Sequence, residues 1–204
     1  MNKFPRSAYV HIPFCHRRCF YCDFAVIPLG NNVETLQGYG SKTVKDYLHF
    51  LYKEILSIKH KSPLSTIYVG GGTPSILDPT QIKELIDLFR ENYGIDYGAE
   101  ITMEVDPASF NKDDLSGFIN AGINRFSLGV QSFNNQILQK SGRRHLREDA
   151  EQSCLWLQRE YNSGLIKSWS LDLIQNLPLS GFKQWKDDLK NAITFHHLIY
   201  PFMI

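Results

Sequence analysis

Short apolar runs alternate with amphipathic helical stretches along almost the whole chain. Five runs rich in strand-forming residues cover positions 7–14, 65–70, 100–105, 125–130 and 169–174. Between them, apolar residues recur with the helical period of about 3.6 at 42–59, 79–92, 112–121 and 147–161, and a shorter helix is expected at 134–141. Nearly continuous apolar strands separated by helices predict a parallel sheet whose outer side the helices cover.

The number of strand and helix units predicts the fold class. With a further strand expected at 196–202, the chain supplies an α/β fold, a partial (β/α)6 TIM-like barrel that is incomplete at its sixth strand. A flavodoxin-like open sheet has the same alternation and stays open as the alternative. In both folds, ligands bind in the loops after the carboxyl ends of the strands, and every motif discussed below falls at or near such a loop. A polar, glycine-containing loop is expected at 31–41.

Composition and charge exclude several classes of protein. The 204 residues are 43% hydrophobic, which suffices for one domain with a sizeable core, and the net charge is +1. Such a balance gives no basic footprint for nucleic acid or for a membrane surface, and no apolar run approaches the length of a membrane span. Strand-like sequence begins by residue 7, which leaves no room for a signal or transit peptide, so a cytoplasmic location is expected.

Three cysteines, Cys15, Cys19 and Cys22, follow the first apolar run with three and two residues between them. An iron–sulfur cluster with four irons normally takes four cysteines, so three thiolates predict a cluster with one iron left open to another ligand. A disulfide framework fits less well, because it needs an even number of cysteines in a small secreted chain. A structural zinc site would need His16 or the distant Cys154, and the apolar surroundings of Cys154 favour a thiol buried in the core.

Polar residues and glycines follow the second and third strands. The second strand leads into three glycines, Thr73 and Pro74, and such a loop lets backbone approach a ligand closely, although glycines there often only make a turn. The third strand carries Glu104 and Asp106, which share one face of the strand by alternation. Their simpler interpretation is an exposed pair at a strand end.

The fourth and fifth strands add three more candidates. Gln131 can both donate and accept hydrogen bonds, and Arg143 is a fixed cation that can pair with a carboxylate through two hydrogen bonds. From the residues alone, a solvated polar contact is favoured for both. Asp172 lies in an apolar run, where a carboxylate is costly unless it binds something, and a structural salt bridge is equally compatible with that position.

Taken with the cysteine spacing, these motifs resemble the radical S-adenosylmethionine (SAM) superfamily. The resemblance implies a 4Fe–4S cluster on Cys15, Cys19 and Cys22, whose free iron chelates the amino and carboxylate groups of SAM. It also implies that the cluster donates an electron that splits SAM and releases a 5′-deoxyadenosyl radical. Gly71, Gly72 and Thr73 would then form the loop that holds the amino group of SAM.

The order of the motifs narrows the resemblance to the oxygen-independent coproporphyrinogen III oxidase group. Four segments carry it, beginning at Tyr9, Gly70, Leu128 and Leu171, and the similarity runs from about residue 7 to about residue 190. Carried over position by position, the resemblance implies a set of SAM contacts. These are Tyr9, Tyr21, Gly71, Gly72, Thr73, Glu104, Gln131, Arg143 and Asp172.

Two branches of this group differ in function, and the residues after Cys22 favour one of them. The coproporphyrinogen III dehydrogenases of porphyrin biosynthesis carry a further cysteine two residues after the third ligand and a longer N-terminal segment. Here Asp23 and Phe24 follow Cys22, as is typical of the HemW branch of heme chaperones. The resemblance therefore favours binding of SAM and transfer of heme to an acceptor protein, with a flavodoxin or ferredoxin as electron donor, and the dehydrogenase stays the alternative.

Both branches continue beyond the length of this chain. We therefore expect residues 1–204 to be a truncated radical SAM core domain that lacks the C-terminal domain of HemW-type proteins. Because the sequence after Leu198 departs from the strand found in the group, a frameshift near that residue is one hypothesis and a natural short form is the other. An unpaired apolar edge at the sixth strand would be prone to aggregation.

Overall fold

The computed structural model contains one six-stranded parallel sheet and a separate pair of very short strands. It describes residues 4–30, 42–58, 62–195 and 198–203. The strands are β1 (Ser7–Ile12), β2 (Phe14–Cys15), β3 (Ile27–Pro28), β4 (Leu64–Gly71), β5 (Ile95–Val105), β6 (Arg125–Gln131), β7 (Ser168–Gln175) and β8 (Leu198–Met203). The large sheet has the order β1-β4-β5-β6-β7-β8, and each pair of neighbours is parallel.

Helices connect the strands of the large sheet. Each helix expected from the apolar period is present, and the expected helix at 134–141 is a short one. A helix between β7 and β8 is an addition that the sequence analysis did not predict. The helices are α1 (Lys42–Ser57), α2 (Pro79–Asn92), α3 (Lys112–Asn120), α4 (Asn135–Lys140), α5 (Arg147–Asn162) and α6 (Phe182–Ile193).

Local signals fix where several helices begin. Asp78 caps α2 by accepting a hydrogen bond from the backbone N–H of Thr80 and Gln81 reaches back to the backbone of Asp78, while Pro79 takes the first helical position. The side chains of Asn111 and Asn134 likewise accept hydrogen bonds from backbone N–H groups in the first turns of α3 and α4. These caps place the helix starts directly after the loops that line the carboxyl ends of the strands.

The two faces of the large sheet differ in polarity more than the nearly continuous apolar runs predict. One face is apolar and buried beneath the helices, and it includes Val69, Met103, Leu128 and Leu171. The opposite face carries Tyr68, Thr102, Glu104, Ser127, Ser170 and Asp172, which alternate with the apolar residues. The runs therefore combine a fully apolar outer face with a polar inner face, because successive side chains of a strand point to opposite sides.

The order of the strands decides between the two candidate folds. In a flavodoxin-like sheet the second strand lies on the other side of the first, so the order of the strands along the sheet differs from their order in the chain. Here the strands of the large sheet lie side by side in chain order. This is the winding of a (β/α) barrel, and the α/β prediction with a partial barrel is confirmed. The sixth strand expected at 196–202 is present as β8, paired with β7. The loop expected at 31–41 lies outside the described residues.

Strand boundaries differ from the prediction at two places. The third strand begins at Ile95, five positions before the predicted start at residue 100, and includes the polar segment that precedes the apolar run. The first run is interrupted after Ile12, because Pro13 lacks the backbone N–H that would continue the ladder. The chain resumes as β2, which pairs with β3 and closes the cysteine segment into a loop.

Candidate functional site

A cavity of about 580 Å³ lies at the carboxyl ends of the strands of the large sheet. All the predicted site residues except Tyr9 line it. They are Cys15, Cys19, Tyr21, Cys22, Gly71, Gly72, Thr73, Glu104, Gln131, Arg143 and Asp172. These residues come from the cysteine loop, from the ends of β4, β5, β6 and β7, and from the segment after α4.

The cysteine segment is held at both ends and in the middle. Backbone N–H groups of Ile27 and Leu29 donate to the carbonyls of Pro13 and Cys15, at 2.6 and 2.8 Å. Phe20 N–H donates to the carbonyl of Ser141 at 3.0 Å, which ties the loop to the segment after α4. Cys15 is buried, whereas Cys19 and Cys22 are half-buried and lie on either side of a turn closed by their own backbone.

The glycines after β4 allow close contact with the cysteine segment. Gly71 has a φ of +118°, which favours glycine, and its N–H donates to the carboxylate of Glu104 at 3.0 Å. A Cβ at Gly72 would lie 2.6 Å from the carbonyl oxygen of Phe14 and 2.9 Å from Cys15 Sγ. Thr73 donates from its hydroxyl to Cys15 Sγ at 3.4 Å. The absence of a side chain at Gly72 is therefore a steric requirement of this packing.

Glu104 is held by two donors on the polar face of the sheet. The Tyr68 hydroxyl donates to it at 2.8 Å, in addition to the N–H of Gly71. Burial raises the pKa of Glu104, and these two hydrogen bonds partly oppose that shift. Tyr9 lies outside the cavity lining: its ring is 61% exposed and stacks on Tyr68 with 5.9 Å between the ring centroids.

Gln131 ends β6 in a strained conformation. Its φ is +68°, and the pairing of β6 with β7 shifts by one residue between Gly129 and Gln131. Strain of this kind at a non-glycine residue is found most often at functional sites. Its Oε1 is buried in the cavity lining with no hydrogen-bond partner among the described residues, so this atom can accept a hydrogen bond from a ligand.

Asp172 lies across the sheet from Glu104, with Ser127 between them. Among the described residues its carboxylate accepts hydrogen bonds from the Ser127 hydroxyl, at 3.1 and 3.2 Å, and makes no ion pair. Burial raises the pKa of Asp172 to about 7, and the negative charge of Glu104 adds to the effect. Near neutral pH this carboxyl group can therefore either donate or accept a hydrogen bond.

Arg143 is held deep in the site by an ion pair with Asp106. The same guanidinium donates from Nη2 to the carbonyl of Gly129 at 2.7 Å and from Nη1 toward Cys19 Sγ at 3.9 Å. Burial acts against the charged forms, but the ion pair outweighs it, so the pKa of Arg143 is raised and that of Asp106 is lowered.

Three residues outside the predicted set of SAM contacts complete these contacts, and of these only Asp106 was singled out from the sequence. Ser127 binds Asp172, Asp106 binds Arg143, and His145 accepts a hydrogen bond from Nε of Arg143 at 3.4 Å. The alternation that places Asp106 on the same strand face as Glu104 is confirmed, since both residues line the cavity. Ser127 could have been found from the same alternation in β6. His145 lies two residues after Arg143, but this spacing alone does not predict the hydrogen bond between them.

The residues around the cysteines fit an iron–sulfur cluster. The three thiols line one cavity, next to a glycine loop that a Cβ would obstruct and an amide oxygen, Gln131 Oε1, that lacks a partner. No group of three His, Cys, Asp or Glu side chains in the described part of the chain is arranged to hold a single metal ion. Cys154 is fully buried in α5, as predicted for a core thiol.

Comparisons with known proteins identify relatives of this chain. Residues 9–168 match the profile of the Radical SAM superfamily. The heme chaperone HemW of Synechocystis sp. is 41% identical over 191 residues, which are 93% of this chain and 44% of the relative. The oxygen-independent coproporphyrinogen III oxidase of Salmonella typhimurium is 37% identical over 180 residues, which are 85% of this chain and 36% of the relative. The chain thus spans about half, or less, of the length of the curated relatives it matches.

A solved structure supports the same grouping. Coproporphyrinogen III oxidase (HemN) from Escherichia coli, described as a radical SAM enzyme, superposes with a TM-score of 0.83. The match covers 97% of this chain and 43% of that protein, with 32% sequence identity. Among the described residues, no helix is both long and apolar enough to cross a membrane.

Proposed function

Since this chain belongs to the radical SAM superfamily, we propose that its cavity holds a 4Fe–4S cluster on Cys15, Cys19 and Cys22 and binds SAM at the open iron. The observation that carries the proposal is the convergence of these cysteines and of the predicted SAM contacts other than Tyr9 on one cavity. When bound, the reduced cluster supplies the electron that cleaves SAM in this superfamily.

The residues around the cavity suit different parts of SAM. Gly71, Gly72 and Thr73 would hold the methionine end of SAM, a role supported by the close approach of the backbone at Gly72 to Cys15. Gln131 offers an unpaired acceptor, and Asp172 offers a carboxyl group whose pKa burial raises to about 7; both suit hydroxyl groups of a ribose. Glu104 and Arg143 add one fixed acceptor and one fixed cation, and the Tyr21 hydroxyl lies 3.5 Å from Arg143 Nη1. Tyr9 lies outside the cavity lining, stacked on Tyr68.

An electron paramagnetic resonance spectrum of the reconstituted, reduced protein tests this site. We expect iron and sulfide in the ratio of a 4Fe–4S cluster and a spectrum that changes when SAM is added, because SAM would bind an iron directly. A spectrum that SAM leaves unchanged would contradict an open iron, and the variant Cys19→Ser provides a protein that lacks one ligand.

For the complete protein we propose a heme chaperone of the HemW type, which hands heme to an acceptor protein. The similarity to HemW proteins supports it, and so do Asp23 and Phe24, which take the place of the further cysteine of the dehydrogenases. The alternative is a coproporphyrinogen III dehydrogenase, which the similarity to coproporphyrinogen oxidases keeps open.

One assay separates the two functions. The reconstituted protein is given SAM, a reductant and coproporphyrinogen III, and the porphyrin product is examined by mass spectrometry. We expect no new vinyl groups, together with heme that co-purifies with the protein. Formation of vinyl groups would instead establish the dehydrogenase.

Partners and location follow from the same proposal. A flavodoxin or ferredoxin is the proposed electron donor, since Cys19 and Cys22 are half-buried and the loop that carries them is exposed at Arg17, Arg18 and Phe20. A reducing compartment such as the cytoplasm suits both the cluster and the thiol of Cys154.

A further inference from the structure

A largely buried ion pair lies directly beside one of the cysteine ligands. The side chains of Arg143 and Asp106 are only 11% and 21% exposed, and they bond through Nη2 and Oδ2. The other terminal nitrogen of the guanidinium, Nη1, is 3.9 Å from Cys19 Sγ and 3.5 Å from the hydroxyl of Tyr21. A positive charge therefore lies next to Cys19, and its negative partner lies just behind it.

Asp106 is held by its own turn as well as by Arg143. Its Oδ1 accepts a hydrogen bond from the N–H of Ala108 at 3.1 Å, and its own N–H donates to the hydroxyl of Ser75 at 3.0 Å. Pro107 follows it directly at the end of β5. The turn therefore holds one carboxylate oxygen of Asp106, while the other pairs with the guanidinium of Arg143.

His145 and a carbonyl fix the remaining sides of the guanidinium. His145 Nδ1 lies 3.4 Å from Nε of Arg143, and since Nε is a donor, Nδ1 must accept. Nε2 of the same ring then carries the proton and donates to the carbonyl of Val130 at 3.0 Å. Burial and, to a lesser extent, the charge of Arg143 together lower the pKa of His145 to about 4, so the ring is neutral as this pattern requires.

We propose that Asp106 is a positioning residue that, by pairing with Arg143, sets the reduction potential of the cluster held at Cys19. This inference rests on the proposed function, which supplies the cluster. The potential of an iron–sulfur cluster depends on nearby charge and on hydrogen bonds to its sulfurs. Because reduction adds negative charge, a cation beside Cys19 raises the potential, and the carboxylate of Asp106 offsets part of that effect.

The test is a redox titration of the reconstituted chain without SAM, in which electron paramagnetic resonance monitors the reduced cluster and gives its reduction potential. We expect Asp106→Asn to raise the potential, since it leaves the charge of Arg143 uncompensated. Arg143→Gln should lower the potential, since it leaves Asp106 uncompensated. The double variant should return close to the parent, and Arg143→Lys, which keeps the charge, should lie nearer to the parent than Arg143→Gln.

Asp96→Asn is the matched control, because it removes the carboxylate of the more exposed Arg6–Asp96 ion pair. It should leave the potential unchanged. If the Asp106–Arg143 pair had a purely structural role, both single variants would shift the reduction potential in the same direction, and that result would overturn the proposal. An unchanged potential in single variants that have the parental iron content would overturn it as well. If Asp106→Asn takes up no iron, equal potentials for Arg143→Gln and Arg143→Lys would overturn it.

The proposed function fails in a different way. A parent chain that binds no iron refutes the cluster itself, and this inference falls with it. A parent chain that binds a cluster and responds to SAM, with variants that do not shift the potential, refutes only the role of Asp106.

Discussion

Single backbone and side-chain positions account for much of the cavity. Gly72 brings the loop after β4 within contact of Cys15, and Asp172 supplies a carboxyl group whose pKa lies near neutrality. Gln131 adds a strained backbone and an unpaired acceptor. Each of these features is costly or unusual in a residue that only stabilises a fold, which is why they mark the site.

The first prediction concerns Gly72. In Gly72→Ala the new Cβ would lie 2.6 Å from the Phe14 carbonyl oxygen, so the cysteine segment must move. We expect overpacking of this kind to lower the free energy of unfolding by about 1–3 kcal/mol and to lower the iron content after reconstitution. Gly181→Ala is the control, since nothing lies within 4 Å of a Cβ there. Equal iron contents in the two variants would show that the contact does not matter.

The second prediction is a pH dependence that arises from Asp172. Its pKa is raised in the folded chain to about 7, so its contribution to stability is fully present below the unfolded pKa of about 4 and is lost as pH rises through about 7. Asp172→Asn should therefore stabilise the cluster-free chain relative to the parent above pH 7, by an amount on the order of 1–2 kcal/mol. Urea unfolding of both proteins at several pH values measures this difference, and a difference that does not grow with pH would argue against the raised pKa.

Helices position the site as much as the strands do. α6 was not predicted, yet its Asp188 is buried and accepts hydrogen bonds from the Ser132 hydroxyl at 2.9 Å and from the N–H of Phe133 at 2.8 Å. These two residues directly follow Gln131. The helix therefore fixes the segment that leaves β6, and with it the strained end of that strand.

The third prediction tests this attachment of α6. Asp188→Ala leaves three donors without their partner, since Gln184 Nε2 also donates to Asp188, at 3.0 Å. Hydrogen bonds to a charged group contribute about 1.5–3 kcal/mol each, so a loss of at least about 2 kcal/mol is expected. The neighbouring Asp187 is 46% exposed and pairs only loosely with Lys190, at 3.9 Å, so Asp187→Ala should change the stability by less than about 0.5 kcal/mol. Denaturant unfolding compares the two variants, and equal losses would refute the role of Asp188.

In the large sheet, β1 forms one edge and β8 forms the other. Within the described residues, β8 pairs only with β7, so its outer edge is unpaired there. An apolar strand with free backbone groups can pair with a second copy of the chain. The chain spans 44% and 48% of the length of two HemW relatives.

The fourth prediction concerns association through this edge. Ile199→Lys places a charge in β8, and charged residues at an edge oppose pairing, so concentration-dependent association should fall. Phe50→Lys is the control, because it removes a side chain of α1 that is 65% exposed and leaves the sheet edge intact. Light scattering over a range of concentrations measures the association of both variants. An equal decrease in the two variants would show that association depends on general surface hydrophobicity and not on the edge of β8.

The sequence by itself determined the strands, most helices, the cysteine motif and the types of residue around it. Those features are local, since periodicity, caps and spacing are written within a few neighbouring residues. The tertiary structure decided which distant residues meet: Ser127 with Asp172, Asp188 with Ser132, and Asp106 with Arg143. It also decided that the strands wind in chain order, and that Gln131 is strained at a shift in register. Such pairings depend on how whole strands align, so the residues that carry the electrostatics of the site emerge only when the sheet is assembled.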